Sequence, residues 1–166
     1  MMKLETGMND IEAFGSGKTK KVPTNRAELQ KLLDTVAALF QAERTKDLQT
    51  WGDQWATDAR VTFPLDKNPG ERAIEGKEAI VAWTAQKFLD RAHTGIDALI
   101  EALDSGNRVI AHSNVSLRFT NGSQIAGPLV MAFTFDADGK VLLMEEYVNE
   151  AIFPTNYKEL AEPAQA

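Results

Sequence analysis

Four stretches of alternating apolar residues follow one another in the C-terminal half of the chain, and they constrain its fold most. They span about residues 96–103, 108–120, 124–135 and 140–149, and are joined by Ser105-Gly106-Asn107, Asn121-Gly122 and Asp138-Gly139. Asn-Gly and Asp-Gly between apolar runs are strong hairpin signals, because these residues tolerate the positive φ of a tight turn. The sequence therefore predicts an antiparallel meander of four strands.

The first half of the chain predicts mainly helices. Asn25 and Glu28 form a plausible capping pair, and apolar residues then recur with a helical period as far as Phe40. A second, shorter helix is predicted after Asp47 and carries two tryptophans on one side, Trp51 and Trp55. Tryptophans in such a pattern are more often core residues than ligand contacts.

A strand at 60–63 and a third helix after Gly76 complete the predicted elements. His93 is expected near the end of this helix, where a basic residue is favoured by the helix dipole. Helices followed by an antiparallel sheet predict an α+β fold, with the helices packed against one face of the sheet.

Length and composition favour one domain. The chain has 166 residues, 43% of them hydrophobic, which predicts a single domain at 24–160 between flexible tails at 1–23 and 161–166. The net charge of −6 and the pI near 5.0 argue against a nucleic-acid partner. With no apolar run near 20 residues, no membrane span is predicted, and a soluble cytoplasmic protein is expected.

The residue types also limit the chemistry of any site. The sequence contains no cysteine, which excludes disulfides, a thiolate nucleophile and a zinc site of the cysteine type. Its two histidines, His93 and His112, are too far apart in sequence to form a metal motif. We therefore predict neither a metal nor another cofactor.

Glu146 is a carboxylate set into an apolar row. Side chains alternate between the two faces of a strand, so Glu146 shares its face with Leu142, Met144 and Val148. Apolar surroundings raise a carboxyl pKa toward neutrality, as a general acid or base requires. The alternative is that Glu146 lies partly wet near the strand end and contributes only solubility.

Three local strings resemble the nuclear transport factor 2-like superfamily, in its SnoaL-like and ketosteroid-isomerase-like branch. They are WATDARVTFP at 55–64, IEGKEAI at 74–80 and FDADGKV at 135–141, and the resemblance covers about residues 25–155. It implies a cone-shaped α+β barrel, in which three N-terminal helices pack on a strongly curved, mostly antiparallel sheet and enclose a pocket. The superfamily contains enzymes and binding modules alike.

The resemblance also implies which face of the predicted strand at 108–120 meets the pocket. Considered alone, its polar residues would be placed in solvent; aligned with the family's hairpins, they resemble the cavity-facing row. That row consists of Ile110, His112, Asn114, Ser116 and Arg118. The opposite row, Val109, Ala111, Val115, Leu117 and Phe119, would then form an uncovered apolar stripe on the outer face. Such stripes usually mark interfaces, which predicts a homodimer through the sheets.

Departures from the family patterns narrow the chemistry. Ketosteroid isomerases carry an aspartate base where this chain has Phe63 and an acidic donor where it has Met131, so their mechanism is not expected. Epoxide hydrolases of the limonene type use an Asp-Arg-Asp set. Glu146 falls at the position of one of these aspartates, but His112 and Asn114 lie near the positions of the other two residues. The ending at 146–149, Glu-Tyr-Val-Asn, resembles phenazine-biosynthesis proteins, whose partner histidine is replaced here by Trp83.

The leading hypothesis is a cofactor-free acid/base enzyme of the cyclase, isomerase or dehydratase type. Its substrate would be a mid-sized hydrophobic metabolite such as a polyketide or terpenoid. Glu146 would exchange a proton, His112 would be its partner, and Asn114 with Ser116 would hold a substrate oxygen. The substrate-binding walls are predicted from Trp51, Trp55, Phe63, Trp83, Met131, Phe133, Met144 and Val148.

Three alternatives remain open at this point. His112 could serve a structural role, bonded to a neighbour such as Asn114. The same pocket could belong to a non-catalytic module that binds a small molecule or dimerises. A hydrolase that uses carboxylate-activated water on an epoxide or lactone is the third.

Overall fold

The computed structural model describes residues 26–68, 70–103 and 107–153, and these form three helices and six strands. The elements are α1 Arg26–Thr45, α2 Leu48–Asp53, β1 Trp55–Thr62, β2 Ile74–Glu75, α3 Lys77–Asp90, β3 Arg91–Ala102, β4 Arg108–Phe119, β5 Gln124–Phe135 and β6 Val141–Tyr147. The predicted tails, and Ser105 with Gly106 of the first predicted turn, lie outside the described residues.

The strands form one mixed sheet in the order β2-β1-β6-β5-β4-β3. Strands β3 to β6 pair antiparallel, whereas β6 also pairs parallel with β1. Register shifts in β1, β3 and β5 mark bulges, which bend strands and increase their twist. The sheet is curved, α1 packs on β3 and β4, and α3 packs on β1. The predicted α+β class and meander are confirmed.

The turns at Asn121-Gly122 and Asp138-Gly139 form where the sequence predicts them. Gly122 has a φ of 88° and Gly139 a φ of 78°, values that a side chain would disfavour. In the first of these turns, the side-chain oxygen of Asn121 accepts a hydrogen bond from the backbone N–H of Ser123 at 2.9 Å. The turn chemistry therefore sets the register of the strands on either side.

Helix α1 turns one apolar stripe toward the sheet. Leu32, Val36 and Leu39 are buried on that side, at the spacing of one helix face. Glu43 comes four residues after Leu39 and continues the stripe. Asp47 caps helix α2 at its N-terminus: its carboxylate accepts a hydrogen bond from the backbone N–H of Thr50 at 2.9 Å.

The face of β4 that meets the helices is the opposite of the one implied by the resemblance. Its buried residues are Val109, Ala111, Ser113, Val115, Leu117 and Phe119. His112, Asn114 and Arg118 are exposed, and Ser116 is half-buried on their side. Because burial of the apolar row removes more apolar surface from water, simple alternation decides the orientation. The implied cavity-facing row is wrong.

This reversal also removes the observation behind the homodimer. The apolar stripe that would have covered a dimer interface lies inside the protein: Val109 and Ala111 share a buried cluster with residues of α1, and the rest of the stripe packs with Phe153. The homodimer stays a prediction, without that support. His93 is corrected as well: helix α3 ends at Asp90 and β3 begins directly at Arg91, so His93 is a strand residue.

Candidate active site

A cavity of about 360 Å³ lies between the helices and the concave face of the sheet. Residues of two buried clusters line it. The larger, which includes Val36, Val61 and Phe133, joins the helices to the sheet, and the smaller joins the C-terminal half of β4 to Phe153. Leu129 and Val148 pack against both clusters and line the cavity. The wall is mostly apolar, as expected of a small-molecule pocket.

Glu146 lines this cavity from β6, as the sequence predicts. It pairs with Met131 of β5, and both side chains point to the concave side. Burial raises the pKa of Glu146; the positive charge of Lys87 opposes this, and the negative charge of Glu43 adds to it. Arg72 and Arg91 are weaker opposing charges. The carboxyl group therefore keeps its proton to a higher pH than an ordinary glutamate does.

Five further ionisable side chains line the cavity, and three of them form a cluster that is built from three different elements. Glu43 of α1 lies at the centre: its Oε1 is 3.7 Å from Nζ of Lys87 on α3, and its Oε2 is 3.0 Å from Nε2 of His93 on β3. All three side chains are at most 16% exposed. The ammonium of Lys87 also lies 4.0 Å from the centre of the Trp83 ring, a favourable cation–π distance.

Glu43 is held as a carboxylate. Burial alone would raise the pKa of Glu43, but Lys87, His93, a hydrogen bond from the Trp51 indole and Arg91 together lower it below the usual glutamate value. Two glutamates thus line one cavity with pKa values moved in opposite directions. Such a separation by environment is typical of sites that need one acid and one base at the same pH.

His93 is held in its neutral form. Burial lowers the pKa of His93, Glu43 opposes that change, and the positive charges of Lys87, Arg91 and Lys46 add to it. A neutral imidazole has one N–H and one lone pair, and the neighbouring group decides which nitrogen carries which. Together, Glu146, Glu43 and His93 can donate and accept protons within one cavity.

The structure does not bring the other predicted catalytic residues to this cavity. His112 lies on the outer sheet face with 52% of its side chain exposed, and its Nε2 is 3.5 Å from Glu101. Asn114 and Ser116 belong to the same outer row. The prediction that this trio meets Glu146 is therefore wrong, because the alternation of β4 turns all three away from the pocket.

The predicted substrate-binding walls divide in two. Phe63, Trp83, Met131 and Val148 line the cavity. Trp51, Trp55, Phe133 and Met144 are instead nearly inaccessible core residues, each at most 4% exposed. Trp51 and Trp55 stack against each other, with ring centres 4.9 Å apart, so the core interpretation of the tryptophans applies to these two.

Sequence reasoning missed Glu43, Lys87 and His93. A signal for Glu43 was present, because it continues the apolar stripe of α1 as Glu146 continues that of β6. Lys87 offered no comparable signal, since lysine at a helix end is common on surfaces. His93 was assigned to the wrong element, and a bulge between His93 and Gly95 then changes the alternation along β3.

The described residues contain neither a metal-binding cluster nor a membrane-spanning helix. No three histidine, aspartate or glutamate side chains there lie close enough together to hold a metal ion. None of the described helices is both long enough and apolar enough to cross a membrane.

Comparison with known proteins identifies the family. The family model of the SnoaL-like domain matches residues 36–144, more than half of the chain. No curated protein sequence matches the chain significantly.

Solved structures share the fold at low sequence identity. A Bacillus subtilis protein thought to be an isomerase is 20% identical with a TM-score of 0.67, covering 76% of this chain and 94% of its own. A Xanthomonas campestris protein thought to be a polyketide cyclase is 21% identical with a TM-score of 0.63, covering 76% and 97%. A Mycobacterium tuberculosis protein in complex with estradiol-17β-hemisuccinate is 17% identical with a TM-score of 0.64, covering 74% and 96%. From the match to the family model over residues 36–144, the chain belongs to the SnoaL-like domain family.

Proposed function

We propose that this protein is a cofactor-free acid/base enzyme of the cyclase, isomerase or dehydratase type, acting on a mid-sized hydrophobic metabolite such as a polyketide or terpenoid. The observation that carries the proposal is the position of Glu146 in a mostly apolar cavity, with its pKa raised. Cyclisation, isomerisation and dehydration each require a proton to be given to or taken from the substrate. A placed acid or base accelerates such steps by roughly 10²–10⁴.

The related structures support the same reaction style. One is thought to be an isomerase and another a polyketide cyclase, and the steroid complex is that of a protein with the same fold. Steroids, polyketides and terpenoids are all hydrophobic molecules with few polar groups. A cavity with apolar walls and a few ionisable side chains suits such ligands.

The test compares Glu146→Gln with Glu145→Gln. The two glutamates are adjacent, but Glu145 lies on the outer sheet face, 2.5 Å from Nη2 of Arg108. Polyketides, terpenoids and steroid-like compounds are first screened for thermal stabilisation of the protein, and each hit is incubated in D₂O and examined for product by mass spectrometry. We expect Glu146→Gln to bind the stabilising compound but to lose at least about tenfold in turnover. Glu145→Gln should keep the turnover of the wild type.

A non-catalytic binding module is the second candidate, favoured by the steroid complex of a protein with this fold. Stabilisation by ligands with no product after many hours would support that function and contradict the enzymatic one. Unchanged turnover in Glu146→Gln would remove Glu146 from the mechanism. Oxygen-18 from labelled water in the product would instead indicate an epoxide or lactone hydrolase.

A further inference from the structure

The contact between Glu43 and His93 indicates which imidazole nitrogen carries the hydrogen. Oε2 of Glu43 lies 3.0 Å from Nε2 of His93, and a carboxylate can only accept hydrogen bonds. The hydrogen of a neutral imidazole therefore belongs on Nε2, and the lone pair on Nδ1. Within the described part of the chain, Nδ1 makes no hydrogen bond with another residue.

The buried cluster of Glu43, Lys87 and His93 is not what stability alone would favour. Glu43, Lys87 and His93 are largely removed from water, and a buried ion pair is often no more stabilising than apolar residues of similar volume. The carboxylate also orients the ring and stabilises its protonated form, as the third member of a catalytic triad does. All three side chains line the cavity that contains Glu146.

We propose that His93, oriented by Glu43, is a second catalytic residue: the base that accepts a substrate proton at Nδ1 while Glu146 supplies one as the acid. The proposal rests on the proposed function, and it gives His93 the role that the sequence assigned to His112. Glu43 and Lys87 act through His93 and are positioning residues.

The proton transfers balance without any further reactant. Nδ1 takes a proton from the substrate and the ring becomes an imidazolium with an N–H on each nitrogen, which the Glu43 carboxylate stabilises. Glu146 gives its proton to the substrate and becomes a carboxylate. After product leaves, the imidazolium returns its proton to Glu146 through water, and no electrons are gained or lost.

The test uses 5-nitrobenzisoxazole, a small apolar probe that needs only a base. Removal of its C3 proton forms a nitrile, breaks the ring N–O bond and releases a coloured phenolate. We expect the wild-type protein to accelerate this reaction, and His93→Gln to lose on the order of a hundredfold of that acceleration. His112→Gln is the matched control, since His112 lies on the outer face; it should react like the wild type.

Glu146→Gln separates this proposal from the proposed function. If His93→Gln reacts like the wild type while Glu146→Gln is inactive, Glu146 is the base: the role of His93 is then overturned and an acid/base function survives. If Glu146→Gln reacts with the probe but fails with a natural substrate, both proposals are supported. No acceleration by the wild type overturns the role of His93.

Two measurements do not depend on the folding of His93→Gln. In His112→Gln the remaining imidazole belongs to His93, and long-range ¹H–¹⁵N spectra show which nitrogen carries hydrogen. We expect Nε2 to carry it at neutral pH, and hydrogen on Nδ1 would overturn the proposal.

The second measurement is the pH–rate profile of Glu43→Gln. The groups that act on His93 are Glu43, Lys46, Lys87 and Arg91, and Glu43 alone raises its pKa. Without that carboxylate the acidic limb of the profile should move to lower pH and the maximum rate should fall. A purely structural role of Glu43 would leave the position of the limb unchanged, which would overturn the assignment of Glu43.

Discussion

Glu145 and Glu146 are the same amino acid in opposite settings. One pairs with Arg108 on the outer face, and the other lines the cavity. Since the pKa of Glu146 is raised by burial, the folded protein binds this proton more tightly than the unfolded chain does. The stability that results is complete below the pKa of an unfolded glutamate and is lost as the pH rises through the folded pKa.

Replacement of Glu146 by Gln should therefore stabilise the protein at high pH but not at low pH. The amide cannot ionise, so the variant gains over the wild type about 1.4 kcal/mol for each pH unit between the unfolded and folded pKa. Thermal unfolding at about pH 4 and about pH 8 measures the difference. A difference in stability that is the same at both pH values would show that Glu146 does not titrate with folding. The charges that act on it, Lys87, Glu43, Arg72 and Arg91, stay in place in the variant.

Glu43, as a carboxylate, is expected to stabilise the folded protein at neutral pH, whereas ionisation of Glu146 is expected to destabilise it. Glu43→Gln leaves Lys87, only 13% exposed, beside an uncharged amide, and we expect a loss of about 3 kcal/mol at neutral pH. The double variant Glu43→Gln, Lys87→Met removes the orphaned charge and should be more stable than Glu43→Gln alone. Denaturant unfolding of the two single variants and the double variant gives the coupling energy. Strict additivity would show that the two side chains do not interact.

Residue patterns predicted one half of this site and missed the other. Alternation alone located Glu146, because a charge in an apolar row is visible in the sequence. It also separated the two faces of β4 correctly; the error for His112 came from an implied hairpin alignment that overrode the burial of Val109 and Ala111. The partners of Glu43 depend on contacts between α1, α3 and β3, which local periodicity does not describe.

At the scale of elements, the sequence predicted the turns better than the junctions. Asn121-Gly122 and Asp138-Gly139 form the expected hairpins because their chemistry is local. The junction of α3 and β3 has no loop, since the helix ends at Asp90 and the strand begins at Arg91. With no glycine or proline to mark it, this boundary was not visible, and His93 was assigned to the helix.

The short segment after β6 closes one side of the cavity through a contact with β5. Gly127 has no side chain, and a Cβ there would lie 2.5 Å from Cγ2 of Ile152. The segment also buries Phe153 against Val115 and Leu117. Because Ile152 occupies the space beside Gly127, the position of the whole segment depends on the missing side chain of that glycine.

Gly127→Ala should push Ile152 away and loosen this segment. We expect a loss of about 1–2 kcal/mol, typical of overpacking, and faster hydrogen exchange at the backbone of 149–153. Ala126→Val, on the exposed neighbouring position, adds methyl groups without this contact and should have little effect. If Ile152→Ala does not reduce the cost of Gly127→Ala in the double variant, the predicted clash is absent.

At the scale of the whole molecule, the cavity is the feature that close packing of the interior does not explain. Interiors are normally filled to the density of organic crystals, yet about 360 Å³ remains open, lined by residues of the two buried clusters. Sequence pattern predicted a pocket only through the family resemblance, because the size of a void depends on how far the whole sheet curves. Filling the void should therefore separate stability from function.

Val115→Phe is the substitution that tests this separation. Val115 is 4% exposed and lines the cavity, so a ring there can occupy open space and should keep or raise stability by about 1 kcal/mol. The same ring should weaken binding of cavity ligands at least about tenfold, because it takes the volume that they need. Asn114→Phe adds the same ring to the outer face of the same strand and should leave ligand-induced thermal stabilisation unchanged. Equal loss of binding in both variants would mean that the ligands do not enter this cavity. Glu146 and His93 could then not act on them as acid and base.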